Sequence, residues 1–431
     1  MIRRRYLRAL GPLLLLAVGG AYAIASWNWC GRWEAAPAAI AGVGAASGAL
    51  SVGAARAEVR VPFPIVIAGY GPPRPEAVSA RHAIEARAVV LAVAPVKVAI
   101  VELDLLTAPR SLVERIRTGV AEHRFSEVLV VASHAHSSMG GYDERLVSEI
   151  AGTGSYRQDA ADALVAAAVR ALEDADAVLA PASVRRGTAD AAGLVRARSG
   201  SAVDSDFTRL SFDRADGTGT VAEVWLLSAH PTLAGRSPGH LSPDYPGLVD
   251  KDDGPVTLIL QSAGGNASAI PPEGTDGSPE TRFAAAVTAL AQSATGEARS
   301  TVHVGWSRVT FGMPRPDGSR LAPFFARAAG DNLLCTSAPR EAEVSALRID
   351  DFVVVALPAE PSEAAAAEIE QKSGASRVLG LSNGYLGYLE PSAVVKAGTG
   401  ESKRQYFGPG LIDAIDEAAV LAVEAVRSGA H

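Results

Sequence analysis

The chain has 431 residues, and its 40 basic and 47 acidic side chains give a net charge of −7. A hydrophobic content of 48% is sufficient for a large core and excludes a largely disordered chain, and the acidic balance argues against nucleic acid as a partner. The two cysteines, Cys30 and Cys335, are too few for a disulfide framework or a thiolate zinc cluster. Because Cys30 adjoins an apolar segment, we expect free thiols, with a single bridge as the alternative.

The first 30 residues have the pattern of an export segment. Four arginines between positions 3 and 8 precede an apolar run from Leu10 to about Ala25, and the small residues at its end suit cleavage by a signal peptidase. Trp27 and Trp29 follow, as at a membrane interface, so an uncleaved anchor is the alternative. Either pattern predicts an exported protein, periplasmic or secreted, or tethered to the membrane surface by this segment.

The rest of the chain predicts one large α/β domain. Residues 31–49 are rich in alanine and glycine and predict a linker, so the domain is expected to span residues 50–431. Short apolar runs predict buried strands at Ala88–Val93, Val98–Leu103, Val128–Ala132, Val224–Leu227, Val256–Leu260 and Phe352–Leu357. Helical spacing of apolar residues predicts helices at Ser111–Glu122, Asp159–Asp176, Thr281–Ser293, Ser362–Lys372 and Leu411–Ser428. This alternation is typical of a layered fold in which helices flank a mixed β-sheet.

Histidines directly follow two of the predicted strands. His134 and His136 come after Val128–Ala132, and alternation along extended chain points both side chains the same way. His230 ends the run Val224–Leu227, and the proline after it favours an extended conformation. Neutral imidazoles at strand ends are common metal ligands, while the alternative is that these are ordinary surface histidines.

Three further segments place polar residues after strands. Ser268 follows a Gly-Gly turn after Val256–Leu260, where backbone N–H groups and a hydroxyl can face one cleft. Glu360 precedes a predicted helix, and a favourable interaction with the helix dipole would by itself explain why a glutamate occurs there. Tyr385 and Tyr388 lie three residues apart beside glycines, and ordinary packing would explain them too.

These segments occur in a set order that resembles the catalytic domain of the neutral/alkaline non-lysosomal ceramidases. The matching motifs are His134-Ala135-His136-Ser137-Ser138-Met139-Gly140-Gly141, His230-Pro231-Thr232, Gly265-Asn266-Ala267-Ser268, Pro358-Ala359-Glu360 and Asn383-Gly384-Tyr385-Leu386-Gly387-Tyr388. The resemblance covers about 360 residues, and the family's C-terminal immunoglobulin-like domain is expected to be absent. Met139 replaces a proline of the family motif, Asn266 replaces an aspartate, and the segment 389–404 lacks the family's tyrosines.

The resemblance implies a zinc ion and a set of site residues. The implied zinc ligands are His134, His230, Glu360 and Tyr388. Ser268 is implied as the nucleophile near the scissile amide, with His136 assisting proton transfer. Arg198 is the candidate for orienting the substrate, although Ala197 stands where the family has asparagine and a solvated arginine is the simpler interpretation.

The function implied is that of an exported zinc amidohydrolase that cleaves the N-acyl bond of a ceramide-like lipid. One alternative is a secreted amidase or esterase for another acylated small molecule or lipid, which the lost tyrosines favour. The other is a catalytically silent envelope protein that retains the fold and binds a ligand, because a fold does not fix a function.

Overall fold

The six predicted strands and five predicted helices are confirmed in a computed structural model. The structure describes residues 17–23, 27, 30–200, 202–236, 239–249, 254–318 and 327–429. A nine-stranded mixed sheet contains five of the predicted strands. Its strands, in spatial order, are Val256–Gln261, Thr220–Leu227, Asp206–Arg214, Ala180–Asp190, Ser51–Glu58, Glu85–Val93, Val96–Leu103 and Glu127–Ala132, with Ala298–Arg299 beside Ala180–Asp190.

A five-stranded sheet packs against one face of the nine-stranded sheet. Its strands, in spatial order, are Ala39–Ala49, Thr301–Gly312, Glu341–Ile349, Phe352–Ala356 and Arg377–Leu379. Leu91 and Ile100 from the larger sheet and Val304 and Leu347 from the smaller one share a buried cluster between the sheets. Three small sheets complete the strands: Gly239–Leu241 with Glu76–Ala80 and Ile65–Val66, Ala267–Ala269 with Val195–Ala197, and Glu360–Pro361 with Tyr388–Leu389.

Helices cover the outer faces of both sheets. The α-helices of ten residues or more are Arg110–Gly119, Gln158–Ala177, Pro279–Ser293, Arg327–Ser337, Glu363–Ser373 and Leu411–Ser428. Shorter helical turns are Ala121–His123, Leu146–Ser148, Glu149–Thr153, Pro246–Val249, Gly264–Asn266, Ser392–Ala397 and Ser402–Arg404. Because helices and the second sheet cover its two faces, the strand Glu127–Ala132 is buried along its whole length, which is why it reads as a continuous apolar run.

Close packing of one helix depends on a glycine. Gln158–Ala177 buries alanines along the face that meets the nine-stranded sheet. A side chain at Gly53, on the facing strand, would place its first carbon 2.0 Å from the carbonyl oxygen of Ala175. Small residues on both elements therefore allow the helix backbone to approach the sheet directly.

One segment joins the two edges of the nine-stranded sheet. At one edge, the Gly380 N–H donates to the Gln261 carbonyl at 2.8 Å. At the other edge, the Asn383 N–H donates to the Val130 carbonyl at 2.9 Å. The carboxyl ends of strands that are far apart in the sheet order are thereby brought to one end of the molecule, where the polar motifs lie.

The linker predicted at residues 31–49 is wrong from residue 39 onward. Ala39–Ala49 is an edge strand that pairs antiparallel with Thr301–Gly312. The indole of Trp306 lies against this strand, and a Cβ at Gly42 or Gly44 would lie 2.8 or 2.7 Å from a ring atom. The strand needs small residues for that contact and therefore lacks the alternating apolar pattern by which strands are recognised.

The expectation of free thiols is also wrong, because Cys30 and Cys335 form a disulfide. Residues near Cys30 already contact the segment that follows the helix Arg327–Ser337. Arg340 donates from Nη2 to the Cys30 carbonyl at 3.0 Å, and its guanidinium lies 3.7 Å from the centre of the Trp33 ring. These contacts hold the two cysteines together across 305 residues of sequence.

Replacing both Cys30 and Cys335 with serine is expected to lower the free energy of unfolding by about 2–5 kcal/mol, because the bridge restricts a very long loop in the unfolded chain. Urea denaturation followed by circular dichroism measures this change. Wild-type protein treated with reductant should match the double variant. An unchanged urea midpoint in both would show that the bridge contributes nothing to stability.

The predicted export segment lies largely outside the described residues. Residues 17–23 are helical. Within the part of the chain that the structure describes, no helix is both long and apolar enough to cross a membrane.

Candidate metal centre and substrate cavity

Two loops after strands bring three histidines together. His134 adopts a left-handed backbone conformation, with φ of 71°, directly after the strand Glu127–Ala132. The His136 N–H donates to the Pro231 carbonyl at 3.2 Å, so the loop that carries His134 and His136 is pinned to the loop that carries His230.

Each imidazole is oriented by a backbone carbonyl. His134 Nδ1 lies 2.8 Å from the Leu106 carbonyl oxygen. The corresponding distance is 3.1 Å from His136 Nδ1 to the Gly69 oxygen and 3.1 Å from His230 Nδ1 to the Gly264 oxygen. A carbonyl oxygen only accepts hydrogen bonds, so Nδ1 carries a proton in each ring, and in the neutral form of the ring Nε2 carries the lone pair.

Gly69 must be glycine for this arrangement. Its φ of +83° disfavours other residues, and a Cβ there would lie 2.7 Å from His136 Nδ1. The absence of a side chain lets the Gly69 carbonyl reach the imidazole.

The three lone pairs face one another. The Nε2–Nε2 separations are 3.0 Å between His134 and His230, 3.1 Å between His136 and His230, and 3.3 Å between His136 and His134. Three acceptor nitrogens this close would repel one another unless a cation lies between them. Tetrahedral zinc, with metal–nitrogen distances of about 2.0–2.1 Å, spaces its ligand nitrogens by about 3.3–3.4 Å. The donor type suits such an ion, the longest separation matches that spacing, and the other two are shorter. The cluster can therefore hold a metal ion.

Glu360 adds a buried carboxylate to the cluster. Its Oε2 lies 3.1 Å from His134 Nε2 and has no hydrogen-bond donor among the described residues, which is the state expected of a metal ligand. Its Oε1 accepts a hydrogen bond from the Tyr385 hydroxyl. Burial alone would raise the pKa of Glu360, but the imidazoles of His134 and His230 and the Tyr385 hydrogen bond outweigh it and lower that pKa, so the group is an anion at neutral pH.

Two histidines of the cluster, His136 and His230, have lowered pKa values. Burial and the adjacent His134 lower the pKa of His136 to about 3, and the same two causes lower the pKa of His230 well below its ordinary value. Neutral imidazole is the form that binds a metal or accepts a proton.

Tyr388 lies beside Glu360 in the backbone. The two residues pair in a short parallel ladder, and the Tyr388 hydroxyl accepts a hydrogen bond from Arg198 Nη2 at 3.2 Å. Burial and the negative charge of Glu360 raise the pKa of Tyr388, so without a metal the side chain is a neutral phenol.

Arg198 differs from the solvated arginine of the simpler interpretation, because its guanidinium contacts two other side chains. Its side chain is 31% exposed, and besides Tyr388 it contacts Glu401, with 3.1 Å between Nε and Oε1. The reason is that Val195–Ala197 pairs with the strand carrying Ser268, which directs the next residue toward the cluster.

The cluster lines a cavity of about 490 Å³. Polar side chains of the histidine cluster form part of the wall, and apolar side chains form another part. The apolar residues that line it include Val147, Leu334, Ala338, Leu386 and Phe407. A cavity with convergent polar groups beside an apolar wall is suited to an amphiphilic ligand.

The Gly-Gly turn touches several site elements. Besides the Gly264 contact with His230, a Cβ at Gly265 would lie 2.8 Å from the backbone oxygen of Glu360, so glycine is needed there for close approach. Ser268 pairs with His230 in an isolated backbone bridge and is half-buried, but it is not among the residues that line the cavity.

The structure therefore brings together six of the seven residues predicted for the site. The residues lining the common cavity are His134, His136, Arg198, His230, Glu360 and Tyr388. Ser268 is adjacent through its backbone, and its role as nucleophile stays a prediction. Other histidines have partners elsewhere: His123 contacts Asp176, His240 contacts Ser79 and His303 contacts Ser47.

Sequence reasoning missed two features of the site. Tyr385 was part of a recognised motif, but its hydrogen bond to Glu360 was not predicted. The helix Arg327–Ser337, which contributes Leu334 to the apolar wall, was not predicted at all, since its apolar residues do not follow a clear helical period.

Comparisons with known proteins support the family resemblance and the fold. The sequence profile of the neutral/alkaline non-lysosomal ceramidase N-terminal domain matches residues 51–248. A solved structure of a ceramidase complexed with C2 has a TM-score of 0.76 and 17% identity, with 88% of this chain and 76% of that chain covered. The neutral ceramidase from Pseudomonas aeruginosa gives a TM-score of 0.74 and 17% identity, with 88% and 75% covered.

No curated protein matches this sequence. At 17% identity the two solved structures establish the fold, and the profile match supplies the link to the family. The resemblance of this chain to the neutral/alkaline non-lysosomal ceramidases is thus confirmed, by sequence over residues 51–248 and by fold over 88% of its length.

Proposed function

We propose that this protein is an exported zinc-dependent hydrolase that cleaves the amide bond of an N-acylated, ceramide-like lipid. The observation that carries the proposal is the convergence of three imidazole lone pairs and the Glu360 carboxylate in the wall of a partly apolar cavity. The chemistry named by the matched family is consistent with such a site.

His134, His230 and Glu360 are the residues that would hold the zinc, with Tyr388 as the fourth ligand. His134 and His230 are nearly inaccessible, at 3% and 2% exposure, as suits residues that only hold an ion. When bound, the zinc supplies Lewis-acid polarisation of an amide carbonyl.

His136 is the proposed proton acceptor. The family resemblance, and not the spacing of the three nitrogens, supports proton transfer by His136 in place of zinc binding. Unlike the other two histidines it is partly exposed, and it lines the cavity. A neutral imidazole in that position can take a proton at Nε2 from an attacking hydroxyl or water and return it to the amine that leaves.

Ser268 is the proposed nucleophile. Its Oγ would attack the amide carbon, the C–N bond would break with protonation of the amine, and water would then hydrolyse the acyl-serine ester. Direct attack by water positioned by Ser268 is the alternative route. An acyl group trapped on Ser268 with a slow substrate favours the first route, and ¹⁸O entering the product without such an intermediate favours the second.

Export is supported by the disulfide as well as by the basic and apolar N-terminal pattern. Disulfides such as Cys30–Cys335 persist mainly in oxidising compartments. Cell fractionation and the N-terminal sequence of the mature protein test this point, and a protein found only in the cytoplasm would contradict it.

The proposed function is tested with purified full-length protein and a ceramide carrying a fluorescent acyl chain. We expect near one equivalent of zinc, loss of hydrolysis after chelation and recovery on adding zinc. Bound zinc without hydrolysis of any N-acyl lipid or ester would instead favour the silent binding protein.

Replacing His136 with alanine is expected to leave the zinc content near one equivalent and to lower turnover by roughly 10²-fold or more, the usual scale for losing a positioned proton acceptor. Elemental analysis and the fluorescent-ceramide assay on the same sample measure the two effects. Loss of the zinc in this variant would make His136 a ligand instead of a proton acceptor.

A further inference from the structure

Two arginines in the cavity wall share one carboxylate. Arg198 and Arg404 both line the cavity. Glu401 Oε1 lies 3.1 Å from Arg198 Nε, and Glu401 Oε2 lies 3.2 Å from Arg404 Nη1. Glu401 also accepts a hydrogen bond from the Ser199 hydroxyl. The buried Glu390 lies behind this cluster, where its carboxylate accepts from the Ser362 hydroxyl and the Glu401 N–H. At the cavity wall itself, two guanidinium groups therefore share the one carboxylate of Glu401.

The excess positive charge lies next to the metal-binding residues. The two guanidinium groups lie 5.7 and 5.4 Å from the centre of the Tyr388 ring, and Tyr388 pairs in register with Glu360. Arg404 is 57% exposed at its side chain and so can turn toward a ligand, whereas Arg198 is held by its several partners.

The remaining charges along the cavity do not cancel this excess. Arg145 also lines the cavity, but the buried Asp143 binds it through both carboxylate oxygens, at 3.0 and 3.1 Å from Nε. Glu360 is the single carboxylate among the described cavity-lining residues, and its charge would serve a metal ion. The field near Tyr388 therefore favours an anion.

We propose, on the basis of the proposed zinc-dependent amide hydrolysis, that among N-acylated lipids this site prefers those whose amine half bears a carboxylate, the N-acyl amino acids, over those with a neutral amine half. The acyl chain contacts the apolar wall that includes Leu334 and Phe407, and the carboxylate binds Arg404 with support from Arg198. Guanidinium groups bind carboxylates through paired charge-assisted hydrogen bonds, whereas a neutral diol head group leaves the excess charge unmatched. Hydrolysis adds one water across the amide and yields a fatty acid and an amino acid.

Two matched substrates test the proposal in the zinc-loaded full-length protein. N-dodecanoylglycine and N-dodecanoylethanolamine share an acyl chain and differ in a carboxylate against a hydroxymethyl group. We expect kcat/KM to favour the glycine conjugate by about tenfold or more. Arg404→Gln should lower that ratio at least fivefold, with Arg404→Lys between the two. Lys403→Gln, which changes an exposed cation outside the cavity lining, should leave both rates unchanged.

A binding measurement separates failure of this proposal from failure of the proposed function. Calorimetric titration of zinc-loaded Ser268→Ala protein, in which hydrolysis is expected to be slow, should show tighter binding of N-dodecanoylglycine, and adding Arg404→Gln should remove the preference. If neither compound is hydrolysed, the proposed function fails while the binding preference still supports the anion site. A wild-type preference for the ethanolamine conjugate, or equal loss for both ligands in Arg404→Gln, would overturn the proposal.

Discussion

His134→Ala and His230→Ala should each release the zinc and lower hydrolysis by roughly 10³-fold or more, because the polarisation supplied by a bound metal contributes several kcal/mol to transition-state stabilisation. Each change removes a neutral nitrogen donor whose orientation is set by a backbone carbonyl. The remaining donors cannot move to compensate, since Glu360 is held by Tyr385. Elemental analysis and turnover of the fluorescent ceramide measure both effects.

His240→Ala is the matched control for these two variants. His240 is exposed and bonds Ser79 away from the cavity, so zinc content and turnover should equal those of the wild type. Zinc kept at one equivalent by either His134→Ala or His230→Ala would show that this residue is not a ligand, and would direct attention to His136 in its place.

The local elements could be predicted because the sequence carries their patterns directly. The strand Glu127–Ala132 is buried on both faces and reads as an apolar run, and the helix Leu411–Ser428 buries one face and reads as a 3.6-residue repeat. The histidines at strand ends were recognisable for the same reason. What these patterns do not contain is which strand ends meet.

The assembly of the site depends on contacts that have no local pattern. Glu127–Ala132 and Val256–Gln261 occupy opposite edges of the nine-stranded sheet, and the segment of Gly380 and Asn383 joins both edges through backbone hydrogen bonds. Such bonds are available to almost any residue, so the sequence that makes them is not distinctive. It was the resemblance to a family, and not the periodicity of the sequence, that predicted which residues form one site.

Two of the errors of interpretation concern residues 30–49. Ala39–Ala49 lacks alternation because the Trp306 ring takes the space of its side chains, and Cys30 is brought to Cys335 by Trp33 and Arg340. In each case the partner lies more than 250 residues away in sequence. Composition alone does not predict contacts between residues that far apart in sequence.

Ser268→Ala is expected to lower turnover by roughly 10²-fold or more, the usual scale for losing one positioned catalytic group. The backbone bridge to His230 places Ser268 beside a proposed metal ligand, and the Gly-Gly turn before it contacts both His230 and Glu360. Removing one half-buried hydroxyl opens no core cavity, so zinc content and the unfolding midpoint should stay at wild-type values.

Ser262→Ala provides the matched comparison, because Ser262 precedes the same turn. Its hydroxyl, however, donates to the Val378 carbonyl at 2.7 Å and accepts a hydrogen bond from Arg377 at 3.1 Å. This variant should lose about 1 kcal/mol of stability and keep its turnover per folded molecule, because it removes structural hydrogen bonds only. Opposite effects are thus expected from two serines six residues apart: lost rate with intact stability at Ser268, and lost stability with intact rate at Ser262. Full turnover in Ser268→Ala would exclude it as the nucleophile and leave direct attack by water as the route of hydrolysis.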